Sequence, residues 1–486
     1  MKPGNILIFI VIILIFTPFL IHSNSHGWGG DFALYINQAQ ALWEGNTQQL
    51  LEQNSFGLKH SSYSYYSPVL YPWGWPLLLS PVIKFAGLNF VVLKMVVLFF
   101  FIGTVISVYY LFRYKAGSTG SLLIAAYIAF NPGLIEYTNV LRSAFPFLFF
   151  TMLSFIMYES MNKSKDIGWS KIIPAAFFFF FASIIRSEGF LLVVAVGIAE
   201  FIKWGFQKYS KKYLANRMWL FKMATVFILF HVAYVMILPG GTASNFKHFK
   251  LTTVDTAIDN ISFYFNHLDY CFSSFLKQSF VIVMLPFVLL GLYSRFRDDM
   301  AIAVYFVLLH LLFIIWPHHE IRYLFIIAPF YFYFLFQGIK KINFSIKLLG
   351  KSFSGNHLIF SALLLVLLLD FGFYLIRKSK AISVTEGPVT EDARKMFSFV
   401  KNNTSKEDVI VFFKPRVMSL FTNRRSCIIN DNTGHLQQTG NYVVLHKNMG
   451  NYNQIISVID NTPDWLHKIF ENNRFLIYQI TTKIYP

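Results

Sequence analysis

The sequence predicts a polytopic α-helical membrane protein that ends in a small α/β domain. Three observations predict this class. The 486-residue chain is 55% hydrophobic and only 14% charged, well below the charge content of about 25% in soluble domains. Apolar runs long enough to cross a hydrocarbon core of about 30 Å recur along residues 1–376. From residue 377 onward these runs stop, and short β-like segments alternate with polar helical ones.

The apolar runs predict about eleven spanning helices. Nine runs begin near residues 4, 90, 119, 143, 218, 277, 299, 321 and 357. Residues 172–204 are too long for one helix, and Arg186-Ser187-Glu188-Gly189 interrupts them. They are therefore expected to form two spans with that group at the turn. Residues 76–85, bounded by prolines, are too short to span and are expected to lie at the interface or to form a re-entrant helix.

The basic residues predict the orientation of the chain. Lys and Arg concentrate in alternate loops, so the positive-inside rule places the N-terminus in the cytoplasm. Two outer loops are then long, residues 23–75 and 239–276, and residues 377–486 form an extracytoplasmic domain. The net charge of +18 does not indicate nucleic-acid binding, because the basic residues do not share one polar face.

The first apolar run is expected to be a retained span, because residues 22–26 contain no Ala-x-Ala-like cleavage site. In the C-terminal domain, strands are expected at 409–413, 442–445 and 476–478, and helices at 392–402 and 465–472.

The two cysteines, Cys271 and Cys427, are too few for a disulfide scaffold and lack metal-ligand spacing. They are expected to be two free thiols or, since both lie in predicted outer segments, one pair.

Asp31 is the first candidate for chemistry. It follows Gly29-Gly30 in the first outer loop and precedes a helix of mixed polarity that suits a membrane interface. Backbone amides and the helix dipole at this position favour an ionised carboxylate. Asp31 is either a plain N-cap or a general base or substrate contact. The two roles are compatible, because capping also fixes the direction of the carboxylate.

The candidates for substrate binding lie in other predicted outer segments and are Glu136, Arg186, Glu188, Lys247, His319 and Arg322. Arg186 and Glu188 suit a local ion pair between two helices or a substrate contact. Arg322 can grip a phosphate or carboxylate with two N–H groups, or it can reach lipid headgroups. A metal is not expected at His318-His319, because helical neighbours point in different directions and no third ligand is suitably spaced.

Several short motifs follow one another along the chain, and all of them lie on the predicted outer side of the membrane. They are Gly30-Asp31-Phe32-Ala33-Leu34-Tyr35-Ile36, Ala41-Leu42-Trp43-Glu44-Gly45, Tyr71-Pro72-Trp73-Gly74-Trp75-Pro76, Asn131-Pro132, Arg186-Ser187-Glu188-Gly189 and Ile321-Arg322-Tyr323-Leu324. This series resembles the GT-C superfamily of membrane glycosyltransferases. The similarity is to the branch of the protein O-mannosyltransferases and the bacterial lipid A aminoarabinose transferases.

The resemblance implies a function. The donor would be a sugar on a polyprenyl phosphate, and the acceptor would be a hydroxyl group of a glycan, lipid or protein outside the cytoplasm. Asp31 matches the catalytic base of an inverting single displacement. Arg322, then Arg186 and Lys247, would hold the departing phosphate. The expected location is the bacterial inner (plasma) membrane, and no nucleic acid is expected as a partner.

The sequence departs from the family pattern at two places. Asp31 is followed by Phe32, where many relatives carry a second acid. Ser143-Ala144-Phe145-Pro146 stands where many have Ser-Glu before Pro-Phe. A divalent metal is therefore not expected, the acceptor class stays open, and Glu136 is the candidate to replace the second acid. The alternative functions are a transporter or flippase of lipid-linked sugars and a non-catalytic scaffold. Transporters often have repeated halves with broken helices, and the sequence shows no such repeat.

Overall fold

The computed structural model describes residues 2–62, 68–164, 166–240, 252–268, 278–342, 345–348, 351–380, 386–430, 433–448 and 463–482. It divides into two compact units. The first, here called the helical unit, comprises Met1–His22, Lys94–Ile237 and Lys247–Ala381. The second, here called the α/β unit, comprises Ser23–Leu93, Leu238–Phe246 and Ile382–Pro486.

The helices in chain order are α1 (Pro3–Phe16), α2 (Pro18–Ile21), α3 (Gly30–Glu44), α4 (Thr47–Lys59), α5 (Gly74–Ala86), α6 (Phe90–Ala129), α7 (Pro132–Tyr137), α8 (Ala144–Lys163), α9 (Trp169–Ile185), α10 (Phe190–Phe206), α11 (Lys211–Ala215), α12 (Met218–Ile237), α13 (Val254–His267), α14 (Gln278–Arg295), α15 (Met300–Ile315), α16 (Arg322–Lys341), α17 (Gly355–Lys380), α18 (Glu391–Asn403), α19 (Pro415–Thr422) and α20 (Thr433–Thr439). The strands are β1 (Ser345–Leu348), β2 (Lys351–Ser354), β3 (Val409–Val411), β4 (Arg425–Cys427), β5 (Tyr442–His446), β6 (Leu466–Glu471) and β7 (Phe475–Ile480). A 3₁₀ turn at Ser187–Gly189 separates α9 from α10.

The helices that are long and apolar enough to cross a membrane confirm the membrane class. Within the described residues they are Pro3–Ile21, Phe90–Ala129, Ala144–Lys163, Ser187–Phe206, Met218–Ile237, Arg322–Lys341 and Leu358–Lys378. Three shorter apolar helices are Trp169–Ile185, Val281–Arg295 and Met300–Ile315. The chain is an integral membrane protein. The count of eleven spans and the orientation stay predictions.

The helix starts lie close to the apolar runs of the sequence. The predicted break near residue 119 falls in α6, a 40-residue helix in which Gly117 has φ of +81° and leaves the helical conformation. That left-handed backbone favours glycine, which has no Cβ to clash. The predicted division of residues 172–204 is also observed, at the turn Ser187–Gly189. The proline-bounded segment forms α5, which belongs to the α/β unit.

Two helix backbones of the helical unit meet at a pair of glycines. Gly291 of α14 faces Gly338 of α16. A methyl group on Gly338 would overlap the carbonyl of Phe287, and one on Gly291 would overlap that of Phe334. In lipid, helices associate through close packing of small residues rather than through the hydrophobic effect. The two glycines therefore allow the close approach of α14 and α16.

The buried carboxylate of Asp299 in the helical unit is paired. The Asp299 carboxylate is 1% exposed and accepts from Arg295 Nε at 2.7 Å. Lys115 and Tyr333 also contact this carboxylate, and Lys115 lies 3.0 Å from Glu159. Such a group is costly in a membrane protein unless it is neutralised and hydrogen-bonded. This network ties the segment before the Gly117 break to α8, α14, α15 and α16.

The sheet of the α/β unit has the order β4-β3-β5-β7-β6. β3 runs parallel to β4 and β5, whereas β7 pairs antiparallel with β5 and β6. The expected small α/β domain is confirmed, but the helix predicted at 465–472 is wrong. Residues Leu466–Glu471 instead form an edge strand, because pairing with β7 supplies backbone hydrogen bonds that outweigh the local helical pattern.

The first long loop forms part of the α/β unit. The amide of Ser62 donates to the carbonyl of Ile428 at 2.8 Å, and Ser61 Oγ accepts from the amide of Ile428 at 3.0 Å. Cys427 is a buried free cysteine, and burial raises the pKa of its thiol to about 12. Cys271 lies outside the described residues. Because Ser61 and Ser62 bond to Ile428, some 370 positions later in the sequence, the first long loop and the C-terminal segment pack as one body.

The glycine contact predicts the effect of one methyl group. Gly338→Ala should lower the free energy of unfolding by about 1–3 kcal/mol, because the new Cβ overlaps a backbone carbonyl that cannot rotate away. The matched control is Gly197→Ala in α10, where a Cβ has nothing within 4 Å. The measurement is thermal unfolding of the purified protein in detergent. Equal melting temperatures for the two variants would show that α14 and α16 do not approach as described.

Candidate functional site

Three residues on one face of α3 converge on a single tyrosine. Asp31, Tyr35 and Gln38 are spaced at i, i+4 and i+7, which places them in one row along the helix. The hydroxyl of Tyr71 donates to Asp31 Oδ1 at 2.7 Å. The rings of Tyr35 and Tyr71 stack with centroids 4.7 Å apart. Asp31 is thus the first residue of a row that binds the segment before α5.

The backbone of Tyr71 is fixed by the third member of that row. Gln38 Nε2 donates to the carbonyl of Tyr71 at 2.9 Å, and Gln38 Oε1 accepts from its amide at 3.0 Å. The Gln38 side chain is fully buried, so both hydrogen bonds are shielded from competing water. The phenol of Tyr71 therefore approaches Asp31 from a backbone with little freedom to move.

The structure excludes the plain N-cap role for Asp31. The N-cap of α3 is Gly29, and Asp31 is the second residue of the helix. Its half-buried side chain accepts from Tyr71 rather than capping the helix. The N-cap interpretation is therefore wrong, because the helix begins one residue before Asp31. The carboxylate still lies in the first turn, where the helix dipole stabilises negative charge.

Trp28 anchors the chain just before Asp31. Its indole is 8% exposed and lies among aromatic rings of the C-terminal segment. The ring centroids are 5.1 Å from Phe413, 5.9 Å from Phe412 and 6.0 Å from Phe475. Residues 412 and 413 were expected to continue strand β3, but that strand ends at Val411 and the two rings pack against Trp28.

The C-terminal segment also brings two basic side chains toward Asp31. Arg416 lies 5.5 Å from the ring centroid of Tyr71 and donates to the carbonyl of Pro68. Lys414 lies immediately before α19, and α19 packs against α3. Burial lowers the pKa of the Lys414 ammonium, and the nearby Asp31 carboxylate opposes that shift.

In the helical unit, Arg186 lies in a partly enclosed site. Its guanidinium binds Glu188 Oε1 through Nη2 at 2.5 Å, and Nη1 lies 3.4 Å from Ser143 Oγ. The rings of Phe147 and Tyr323 lie within about 6 Å of it. The predicted ion pair between Arg186 and Glu188 is present, and it holds the guanidinium beside the start of α16.

Two further arginines share one carboxylate. Glu320 Oε1 accepts from Arg322 Nη2 at 2.5 Å, and Glu320 Oε2 accepts from Arg142 Nη1 at 3.1 Å. Burial raises the pKa of the Tyr137 phenol, whereas the charges of Arg142, Arg322 and Arg186 act to lower it. Arg142 lies 5.8 Å from the ring centroid of Tyr137, and Arg186 and Arg322 lie 5.8 and 5.6 Å from that of Tyr323. We call Arg142, Arg186 and Arg322 the arginine cluster.

The other described site residues predicted from the sequence bind partners outside the arginine cluster. Glu136 accepts from Tyr374 at 2.5 Å and from Lys378 at 2.9 Å, both on α17. His319 Nδ1 lies 3.1 Å from Asn260 Oδ1. Lys247 lies outside the described residues. The proposed substrate roles of all three stay predictions.

The described residues contain no group of three or more His, Cys, Asp or Glu side chains that could hold a metal ion. The expectation that no divalent metal takes part stays a prediction. Tyr71, Arg142, Glu320 and Lys414 were not among the site residues predicted from the sequence. Arg142 and Glu320 lie in predicted outer segments that also hold other candidates, so their charge was a signal. Tyr71 stood in one of the motifs that carry the resemblance but had no predicted role, and Lys414 gave no signal, because only the folded chain brings these residues to the segment around Asp31.

The comparison with solved structures identifies the fold. Over 98% of its length the chain resembles ArnT from Cupriavidus metallidurans, an aminoarabinose transferase, at 9% sequence identity. The TM-score is 0.62 against ArnT bound to undecaprenyl phosphate and 0.60 against apo ArnT, with 98% and 97% of ArnT covered. By sequence, no family model and no curated protein matches the chain.

A second neighbour is the oligosaccharyltransferase AglB from Archaeoglobus fulgidus. Its apo form matches with a TM-score of 0.59 at 11% identity, covering 92% of this chain and 69% of AglB. The complex of AglB with an inhibitory peptide and a dolichol-phosphate matches with a TM-score of 0.53 at 12% identity, covering 90% and 69%. ArnT and AglB are both GT-C membrane glycosyltransferases. The chain has the GT-C fold, as the sequence motifs predicted.

The position of Trp28 predicts how the α/β unit is stabilised. Trp28→Ala should destabilise this unit by about 3–5 kcal/mol, because it leaves a cavity among the phenylalanine rings. The control is Trp43→Ala, which removes an indole that is 49% exposed. Hydrogen exchange of the amides in β3 and β5 should accelerate in the first variant alone. Equal exchange in both variants would contradict the anchoring role.

Proposed function

We propose that the protein is a membrane glycosyltransferase that moves a sugar from a polyprenyl-phosphate donor to a hydroxyl acceptor outside the cytoplasm. The observation that carries this proposal is the position of Asp31, a first-loop carboxylate held by Tyr71 in a chain with the GT-C fold. ArnT was solved with undecaprenyl phosphate and AglB with a dolichol-phosphate. These ligands support a lipid phosphate as the carrier of the donor sugar.

The proposed reaction is a single inverting displacement. Asp31 accepts the proton of the acceptor hydroxyl as its oxygen attacks the anomeric carbon. A glycosidic bond forms on one face while the bond from the anomeric carbon to the phosphate oxygen breaks on the other. The phosphate keeps the electron pair and leaves as polyprenyl phosphate. Asp31 suits the role of base because a hydrogen bond and a helix N-terminus both favour its ionised form.

The arginine cluster suits the departing phosphate. The three guanidiniums bind the carboxylates Glu188 and Glu320, so the group brings several charged N–H donors together. Forked N–H donors match the oxygens of a phosphate. Their pairing with Glu188 and Glu320 holds them in place before the donor binds, so little reorganisation is needed when negative charge develops on the leaving group. Arg322 is the first residue we assign to this role, followed by Arg186.

The base assignment predicts the effect of removing one charge. Asp31→Asn should lower transfer by about 10²–10⁴-fold, because the amide cannot take a proton. The matched control is Asp255→Asn, which alters an exposed acid at the same position, the second residue, of helix α13. The measurement is sugar transfer from a panel of polyprenyl-phosphate sugars by purified protein, with membrane extract as acceptor source. Undiminished transfer by the Asp31 variant would remove this residue from the mechanism.

The phosphate role predicts a graded response at Arg322. Arg322→Ala should weaken donor use by about 10- to 100-fold through loss of a charge-assisted hydrogen bond. Arg322→Lys should weaken it less, since the charge remains and only the fork is lost. Arg113→Ala, at an exposed position, is the control. The measurement is the donor KM of each variant. Small and equal effects of both Arg322 variants would indicate a lipid-headgroup contact instead.

A further inference from the structure

Glu320 lies in the short connection between α15 and α16, and each oxygen of its carboxylate is held by a different arginine. Oε1 accepts from Nη2 of Arg322 at 2.5 Å, and Oε2 accepts from Nη1 of Arg142 at 3.1 Å. Arg322 begins α16, whereas Arg142 lies two residues before α8. The carboxylate therefore bridges two guanidiniums that come from distant parts of the chain.

The backbone that carries Glu320 is held on both sides. Before it, the fully buried Asn260 of α13 donates from Nδ2 to the carbonyl of Trp316 at 2.6 Å, and its Oδ1 lies 3.1 Å from Nδ1 of His319. After it, the amide of Tyr323 donates to the carbonyl of Glu320 at 3.1 Å. The Glu320 side chain can therefore turn away from the arginines without a movement of the main chain.

Exposure distinguishes Glu320 from the other carboxylate of the arginine cluster. The side chain of Glu320 is 41% exposed, whereas those of Arg322 and Arg142 are 14% and 25% exposed. Glu188 is only 15% exposed, and its Oε1 accepts from both Nε and Nη2 of Arg186, at 3.2 and 2.5 Å. Because Glu320 is the more exposed of the two acids, its carboxylate exchanges its arginine contacts for water at the lower cost in free energy.

The two contacts of Glu320 are the contacts that a phosphate diester requires. The diester of the proposed donor carries one negative charge and two unbridged oxygens, as a carboxylate does. Forked N–H donors of arginine bind either group through neighbouring oxygens. The donor phosphate and the Glu320 carboxylate are therefore alternative ligands for the same pair of guanidiniums.

We propose that Glu320 is an internal counter-ion that occupies the phosphate site of the unloaded protein, and that the donor phosphate replaces it on Arg142 and Arg322. The proposal rests on the proposed function and deepens it, because it adds Arg142 to the residues that bind the phosphate. In the unloaded protein, Glu320 neutralises guanidiniums that are costly to leave without an anion at the start of an apolar helix. After transfer, its return to the arginines favours release of the polyprenyl phosphate.

The first test is the binding of undecaprenyl phosphate to the purified full-length protein in detergent, measured by microscale thermophoresis. Glu320→Gln should lower the dissociation constant about 3- to 10-fold, because the phosphate no longer competes with a carboxylate for the same donors. Glu320→Ala should change it in the same direction. The control Asp298→Asn removes an exposed carboxylate that one arginine, Arg295, holds at 2.9 Å, and it should leave the dissociation constant unchanged.

The second test asks whether Arg142 binds the phosphate or only holds Glu320. Arg142→Ala should raise the dissociation constant of undecaprenyl phosphate about tenfold, and Arg142→Lys should raise it less, since only the fork is lost. The increase caused by Arg142→Ala should be at least as large in the Glu320→Gln background, where no carboxylate competes for the guanidinium. Arg113→Ala, at an exposed position, is again the control.

Each outcome separates this inference from the proposed function. Binding of undecaprenyl phosphate by the unaltered protein and its weakening in Arg322→Ala are measured first, and failure there contradicts the phosphate site itself. If both hold, unchanged or weaker binding in the two Glu320 variants overturns the role of Glu320, because the carboxylate would then only position the arginines. An Arg142→Ala variant without effect in the Glu320→Gln background overturns the assignment of Arg142 to the phosphate.

Discussion

The contacts between α3 and Tyr71 are the constraint on which the candidate site depends. Gln38 fixes the backbone of Tyr71, Tyr35 stacks on its ring, and its hydroxyl binds Asp31. One row of side chains on α3 thus both holds Tyr71 in place and accepts its hydrogen bond. A carboxylate positioned in this way can accept a proton without first losing side-chain freedom, which is the advantage that preorganisation gives to catalysis.

Two groups of charged side chains in the helical unit differ in their arrangement. Asp299 is surrounded by Lys115, Arg295 and Tyr333, which suits a structural role between helices. In the arginine cluster, Arg186 binds Glu188, and Arg142 and Arg322 both bind Glu320, so forked N–H donors that suit an anionic ligand lie together. The two groups differ in their donors, because donors enclose the single carboxylate of Asp299, whereas the arginine cluster presents guanidiniums whose forked N–H groups match phosphate oxygens.

The sequence predicted what local patterns encode. Apolar runs located the long helices, and Gly117 and the turn at Ser187–Gly189 fall where breaks were expected. The helix predicted at 465–472 failed because pairing with β7 decided the structure. The contacts of Trp28 with Phe413, and of Tyr71 with Asp31, could not be predicted. They join residues far apart in the chain, and no local spacing reports such an encounter.

The most direct test of the central claim is the anomeric configuration of the transferred sugar. NMR of the product formed from a polyprenyl-phosphate sugar of known configuration measures it. A single displacement with Asp31 as base predicts that the new glycosidic bond has the opposite configuration to the donor. Retention of configuration would indicate a covalent intermediate and contradict this account, as would movement of the lipid-linked sugar across the membrane without any transfer.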